Sequence, residues 1–262
     1  MVDLSLIIIS WRMKDMLVTL LRSIREQTSG VSYEIIVVDN NSLDGTSEAI
    51  REQFPEIRLV TNAENRGVAG ARNQGMPLAQ GRYLMFLDAD MLVTENSIKK
   101  MIDFMDLHPD AGICGAQLIF PDKSIQPSGR RYPTPLAFLL RRLEFMEVAR
   151  NSQTLRRHEM AEWDRKDTRP VDYVIGACQM IRRAAFEQVG LLDDKIFYGP
   201  EDIDYCYRMN KSGWKVYYFP ETQIIHFEQR ITKKKIFSRL SWLHLKGVIY
   251  FFMKHGGRLS RT

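Results

Sequence analysis

Cysteine is scarce: three in 262 residues, at positions 114, 178 and 206, with no C-x-x-C among them. An odd, scattered set supports neither a disulfide framework nor a zinc knuckle, and it points to a reducing compartment. Long apolar runs are lacking as well. The opening MVDLSLIIISW has only residues 4–9 as an apolar stretch and no basic segment before it. That is a poor signal peptide and far too short to span a bilayer. No glycine-rich turn follows this run. Where a dinucleotide-binding fold carries G-x-G-x-x-G, the chain reads SWRMKD, which argues against nicotinamide or flavin chemistry. Acidic residues are absent after Glu228, whereas nine of the 37 Lys and Arg lie there. The remaining 28 basic residues face 32 acidic ones, so residues 1–228 are net negative and the overall +5 belongs to the tail. A nucleic-acid partner is therefore not expected, because that needs a basic face on the folded body.

What is present reads as strands alternating with helices. Residues 4–10 are a near-continuous apolar strand, and Leu17, Leu20, Leu21 and Ile24 then recur at helical spacing. A second apolar strand, 33–38, ends in Asp39 and the turn-forming NNSLDGT. A short helix, a strand at 57–60 and a polar loop at 62–67 follow. Residues 68–80 read as a small-sided helix, whose Ala69, Gly70, Ala71 and Gly75 permit close approach to a sheet or a ligand. This alternation predicts an α/β fold with a mostly parallel central sheet. Thr94 is placed to cap a helix that Pro109 stops, and 111–120 is a further strand. Residues 126–170 are Arg-rich with weak periodicity, an excursion rather than a new domain. Glu201 opens a helix that Gly213 closes, and a strand at 215–219 precedes His226.

The stretch that organises the rest is YLMFLDAD, residues 83–90. It is a buried strand ending in two carboxylates, Asp88 and Asp90. The carboxyl edge of such a sheet is where ligands bind. Two carboxylates one residue apart repel unless a cation or donor stands between them. A divalent metal facing a phosphate-bearing substrate meets that need. The same residues also suit the approach to a helix N-terminus.

Five motifs in order settle on a family. VVDNNSLDGT (37–46), NRGVAGARNQG (65–75), GRYLMFLDAD (81–90), GAC (176–178) and YGPEDIDYCYR (198–208), followed by His226, resemble the family 2 inverting glycosyltransferases, in particular the bacterial rhamnosyltransferase-like branch. The match covers about residues 4–227. Arg12 departs from it, since the family often has Asn after the aromatic. The resemblance implies a single GT-A-type, Rossmann-like domain over 1–228, with 1–120 as the nucleotide-sugar half and 121–228 as the acceptor and catalytic half. Residues 229–262 remain as a basic amphipathic tail. It implies transfer of a sugar from a UDP-, dTDP- or GDP-linked donor to a glycan or lipid-linked acceptor of the cell envelope.

The resemblance also implies roles. Asp39 would bond the nucleoside base, although it also fits an Asx-turn opening the next loop. Ser10, Trp11, Asn65, Gly67, Arg72 and Asn73 would line the donor pocket. Asp88 and Asp90 would hold Mn²⁺ or Mg²⁺, with His226 as a further ligand, though a histidine after an apolar run also fits a packed, hydrogen-bonded role. Asp202 would be the general base. A free Asp, with pKa about 3.9, is ionised at neutral pH and takes a proton only as the transition state forms. Glu201 and Asp204 suit the helix's first turn. Two other classes share parts of this pattern: a D-x-D phosphatase-like hydrolase, and a silent sugar-nucleotide-binding protein.

In the tail, Trp242, Leu245, Ile249 and Phe252 share a helical face, with Arg239, Lys246 and Lys254 away from it. Such a helix suits peripheral contact with an anionic membrane from the cytoplasmic side, or packing on the domain with its basic side in water.

Overall fold

We describe the protein from a computed structural model, covering residues 2–143, 146–229, 238–257 and 259. The basic run 233–235 of the tail lies outside these residues.

Parallel strands inside a sheet bury both faces, so their sequences are apolar almost throughout; the edge strand at Arg58–Thr61 is half exposed instead. β1 (Leu4–Ser10), β2 (Tyr33–Asp39), β3 (Arg58–Thr61) and β4 (Tyr83–Asp88) form the parallel half of the main sheet, in the order β3-β2-β1-β4. Their side chains alternate between two cores. Leu6, Ile8, Val37, Met85 and Leu87 join one core with Leu17, Leu20 and Ile24 of helix α1 (Lys14–Gln27). Ile7, Ile36, Leu84 and Phe86 join the other with Ala69 of α3 (Gly67–Gly75), which follows the short α2 (Thr46–Gln53). Small residues bring α3 close to the sheet: a Cβ on Gly75 would lie 2.7 Å from Ile7 Cγ2. The helix predicted over 68–80 ends earlier, because Pro77 follows in a single 3₁₀ turn, Met76–Leu78.

Beyond β4 the chain adds β5 (Met91–Val93), α4 (Ser97–Leu107) and β6 (Ala111–Ile119). Helix α4 starts at Ser97, capped by Asn96 at φ 53°, while Thr94 Oγ1 donates to the Gln223 carbonyl at 2.5 Å. Thr94 is thus not the cap. Asp90 leads directly into a strand, which removes the helix-capping account of the two aspartates. The excursion forms β7 (Ile125–Gln126), β8 (Gly129–Arg130), α5 (Pro135–Arg142), α6 (Glu147–Arg150) and α7 (Gln153–Glu159). The chain returns through β9 (Arg169–Val171), β10 (Tyr173–Val174), β11 (Cys178–Arg182) and α8 (Arg183–Val189) to α9 (Glu201–Lys211) and β12 (Lys215–His226). β11 inserts antiparallel between β4 and β6, and β12 runs parallel to β6. β12 is longer than predicted; it continues past a register shift between Phe219 and Gln223, carrying His226 to the sheet edge.

The last helix, α10 (Arg239–Lys254), is capped by Ser238 and packs back on the body. Phe251 is buried in the second core, and Phe252 meets Phe138 edge-on at 5.7 Å. Lys254, expected in water, instead bridges Asp193 and the fully buried Asp204 at 2.7 Å each. His255 and Arg208 also bond Asp204. Trp242, Leu245 and Ile249 stay exposed. No described helix is long and apolar enough to cross a membrane.

Candidate active site

Strand ends put the acidic groups together. Asp88 closes β4, Asp90 lies two residues on, and His226 closes β12. One ligand atom from each falls within 4.8 Å of the others. The Phe227 N–H donates to the Asp90 carbonyl at 2.9 Å, which ties the two strand ends together. His226 Nε2 lies 3.5 Å from Asp90 Oδ1, and its Nδ1 contacts Gln126 Oε1 at 2.7 Å. Gln126 therefore fixes the ring, as a supporting residue does for a ligating imidazole. Burial alone would lower the His226 pKa, but the bond to Asp90 and the charges of Asp90 and Asp88 outweigh it and raise it. Burial raises the Asp88 carboxyl, and Asp90 adds to this, while Arg72 opposes it. Two carboxylates and an imidazole at this spacing fit a hard-to-borderline divalent cation.

Arg72 reaches this cluster from α3. It is 2% exposed, and its Nη2 donates to Asp88 Oδ1 and to the Gly176 carbonyl, each at 2.8 Å. Its Nη1 is buried without a hydrogen-bond partner, and its guanidinium lies over Phe86.

Asp202 enters from the first turn of α9. Its Oδ2 accepts from Gly176 N–H at 2.9 Å and its Oδ1 from Ile203 N–H at 2.8 Å. These two bonds hold the carboxylate in one orientation. Gly176 is needed here, since a Cβ would lie 2.8 Å from Arg72 Nη1 and 3.2 Å from Asp202 Cβ. Beside it, Glu201 is buried, and its Oε2 has no partner. Burial, then the charge of Asp202, push the Glu201 carboxyl up to about 7. Asp204 faces the other way, under α10, where it holds Lys254, Arg208 and His255.

A single cavity of about 870 Å³ is lined by Asp88, Asp90, His226, Arg72, Asp202, Trp11, Asn65 and Gly67. Three of the residues expected at the donor pocket are not on its wall. Asn73 instead clamps Leu192, donating to its carbonyl and accepting from its N–H at 2.9 Å each. Ser10 is fully buried in β1. Asp39 is 7% exposed, and its two oxygens accept from Ser42 N–H, three residues on, and Ser47 Oγ, so it braces the following loop without forming the two-residue Asx-turn expected. Arg12 sits at φ 57°, a backbone region that Asn tolerates better than Arg.

The sequence did not single out Asn40, Gln126 or Arg130, and gave Glu201 only a place in the first turn of a helix; all four line the cavity. Asn40 holds the loop over residues 62–67: its Oδ1 accepts from Arg66 N–H and Asn62 Nδ2, and its Nδ2 donates to Asn65 Oδ1 and the Gly67 carbonyl. Its position directly after a strand-terminal aspartate was the available signal.

A family model described as glycosyl transferase family 2 matches residues 5–190. The N-acetylglucosaminyl-diphospho-decaprenol L-rhamnosyltransferase of Mycobacterium tuberculosis is 29% identical over 236 residues, covering 85% of this chain and 76% of that protein. Among solved structures, the mannosyltransferase PcManGT of Pyrobaculum calidifontis, in complex with GDP-Man and Mn2+, aligns with TM-score 0.65 at 19% identity, over 99% of this chain and 66% of that one. TarS 1-349 of S. aureus aligns with TM-score 0.60 at 15% identity, over 86% of this chain; the chain spans 60% of that structure's length. At these identities the likeness to the solved structures is one of fold.

Proposed function

The chain belongs to glycosyl transferase family 2, and from that premise we propose an inverting, metal-assisted transfer from a nucleotide-diphosphate sugar to a hydroxyl of a glycan or lipid-linked acceptor. The observation that carries the reading is one cavity in which the Asp88, Asp90 and His226 cluster and the backbone-held Asp202 both form the wall. Asp88, Asp90 and His226 are the residues that would hold Mn²⁺ or Mg²⁺. When bound, that cation would offset the charge growing on the departing diphosphate.

Arg72 acts from beneath Asp88, its guanidinium compensating a carboxylate that burial disfavours. Trp11, Asn65 and Gly67 offer an aromatic face, an amide and a backbone edge to the donor, which we assign as UDP-, dTDP- or GDP-linked. For Asp39 the supporting role is indirect: it shapes the loop that carries Asn40. Asp202 is the general base. The acceptor oxygen attacks the anomeric carbon from the face opposite the phosphate; its proton passes to the Asp202 carboxylate, the C–O bond to the acceptor forms, and the C–O bond to the diphosphate breaks. A donor that is already activated needs no covalent glycosyl-enzyme intermediate. The mycobacterial relative, whose name carries a diphospho-decaprenol acceptor, supports the lipid-linked option. The exposed apolar stripe on α10 supports work at the inner face of the cell membrane.

The test is a panel of sugar nucleotides incubated with the full chain and Mn²⁺ or Mg²⁺, reading free nucleoside diphosphate. Release from at least one donor, abolished by chelator and restored by metal, is expected. Full release in chelator contradicts the metal assignment. Release of inorganic phosphate from simple phosphomonoesters, with sugar nucleotides untouched, would favour the phosphatase-like class instead.

A further inference from the structure

Helix α10 brings an imidazole to the cavity, that of His244. Its seat is built from close backbone contacts. Gly247 follows on the same helix, and a Cβ there would lie 2.8 Å from the Gly199 carbonyl oxygen and 3.6 Å from that of Tyr198. Without that methyl, α10 lies directly on the segment that leads into Glu201 and Asp202. The Tyr198 ring meets the imidazole edge-on, with 6.0 Å between ring centres. His244 Nδ1 lies 3.3 Å from the Tyr198 carbonyl oxygen. A carbonyl only accepts, so Nδ1 carries the proton and Nε2 is left with a lone pair. Burial lowers the His244 pKa, and the charges of Arg142 and Arg141 lower it further, against the Tyr198 bond and the charge of Asp202. The ring is therefore neutral near pH 7, and the lone pair on Nε2 persists.

Glu201 stands close to this ring. Its side chain is buried in the cavity wall, and Oε2 has no hydrogen-bond partner among the described residues. Gly199 separates the two groups: a Cβ on it would lie 3.1 Å from His244 Nδ1 and 3.9 Å from Glu201 Oε2. Glycine leaves that space unfilled. A buried carboxyl oxygen without a partner is costly, and a ligand hydroxyl would remove the cost. The charge of Asp202 reaches both His244 and Glu201, so the two flank the carboxylate assigned as the base.

We propose that His244 and Glu201 form a subsite for two adjacent hydroxyl groups of an acceptor sugar, one donating to His244 Nε2 and the other bonding the Glu201 carboxyl, beside the hydroxyl that loses its proton to Asp202. The inference rests on the transfer reading above. In that reading the donor is held through its diphosphate at Asp88 and Asp90, so the sugar that meets α10 and Asp202 together is the acceptor. A sugar hydroxyl both donates and accepts, which suits a lone-pair nitrogen set beside a carboxyl. Helix α10 thus supplies a specificity-determining residue as well as a packing face.

The probes are the methyl pyranosides of glucose, galactose, mannose and N-acetylglucosamine, with tetrahydropyran-2-methanol, which lacks the ring hydroxyls, as control. Each is added to the full chain labelled with ¹⁵N-histidine. At least one pyranoside should shift the Nε2 signal that is missing from His244→Leu, and the control should not. The same pyranoside is then the acceptor in turnover, with the sugar nucleotide that the donor panel selects. His244→Leu should raise the KM for the pyranoside about tenfold, the factor for a lost hydrogen bond in a polar subsite, and the KM for the donor less than about twofold. Glu201→Leu should show the same split. His244→Gln, whose amide oxygen keeps a lone pair, should recover most of the loss; a merely structural role would move both constants and show no rescue. An unmoved Nε2 signal, an equal shift with the control, or an equal rise in both KM values overturns the subsite alone while donor turnover stands. A shifted signal with no sugar nucleotide turned over overturns the transfer reading instead.

Discussion

At the scale of single residues, the site is controlled by two neighbours that the substrate need not touch. Gly176 presents its N–H to Asp202 and its carbonyl to Arg72, so a methyl group there presses on both. Gly176→Ala should fold and bind donor yet lose about tenfold to a hundredfold in kcat, the cost of a misplaced catalytic group. An unchanged kcat in steady-state assays would show that the position of Asp202 does not matter. Glu201 gives a stability signature. Its folded pKa of about 7 lies above the ordinary glutamate value of about 4.5, because burial and Asp202 disfavour the anion. The fold therefore binds the proton more tightly than the unfolded chain does, and stability falls as pH rises from about 4.5 through 7. Glu201→Gln, which cannot ionise, should raise the melting temperature at pH 8, by on the order of 2 kcal/mol in stability, and change little at pH 5. Equal effects at both pH values would mean that Glu201 does not carry this burial penalty.

At the scale of elements, α10 has two sides with different work. Its inner side is fixed by Phe251 and by Lys254 on Asp193 and Asp204. Burial pushes the Asp204 carboxyl up, yet the Lys254 bond, the charge of Arg208 and the His255 bond hold it below its ordinary value. Its outer side exposes Trp242, Ile249 and Met253, at 61%, 52% and 78%. An aromatic and aliphatic stripe beside basic residues suits the headgroup boundary of an anionic membrane. The full chain should sediment with anionic liposomes at low salt and less at high salt. Trp242→Ser/Ile249→Ser/Met253→Ser, which leaves the inner side intact, should lose most of that binding. Should the wild type ignore anionic liposomes, or the triple variant bind equally, the outer side serves another purpose.

At the scale of the whole molecule, the parallel half of the sheet was legible because its inner strands are written as apolar runs, and two of them, β2 and β4, end in a carboxylate. Asp88 and Asp90 could be read that way, and Asp202 through its motif. His226 was harder, because the strand predicted over 215–219 runs on past a register shift to reach it. Asn73 and Glu201 show what a one-dimensional pattern omits. Both lie on helices, and only the packing decides that Asn73 turns to Leu192 while Glu201 turns to the cavity. Arg130, Arg141 and Arg142 line the cavity from a stretch with little periodicity, which gave no sequence signal for them. The central claim is that all this serves one chemical step at Asp202. The most direct measurement compares Asp202→Asn with the wild type in donor binding and in acceptor-dependent turnover. Donor affinity should be nearly unchanged while kcat falls by about 10² to 10⁴, the range for losing a general base. A variant that turns over near the wild-type rate would contradict the assignment and place the base elsewhere in the cavity.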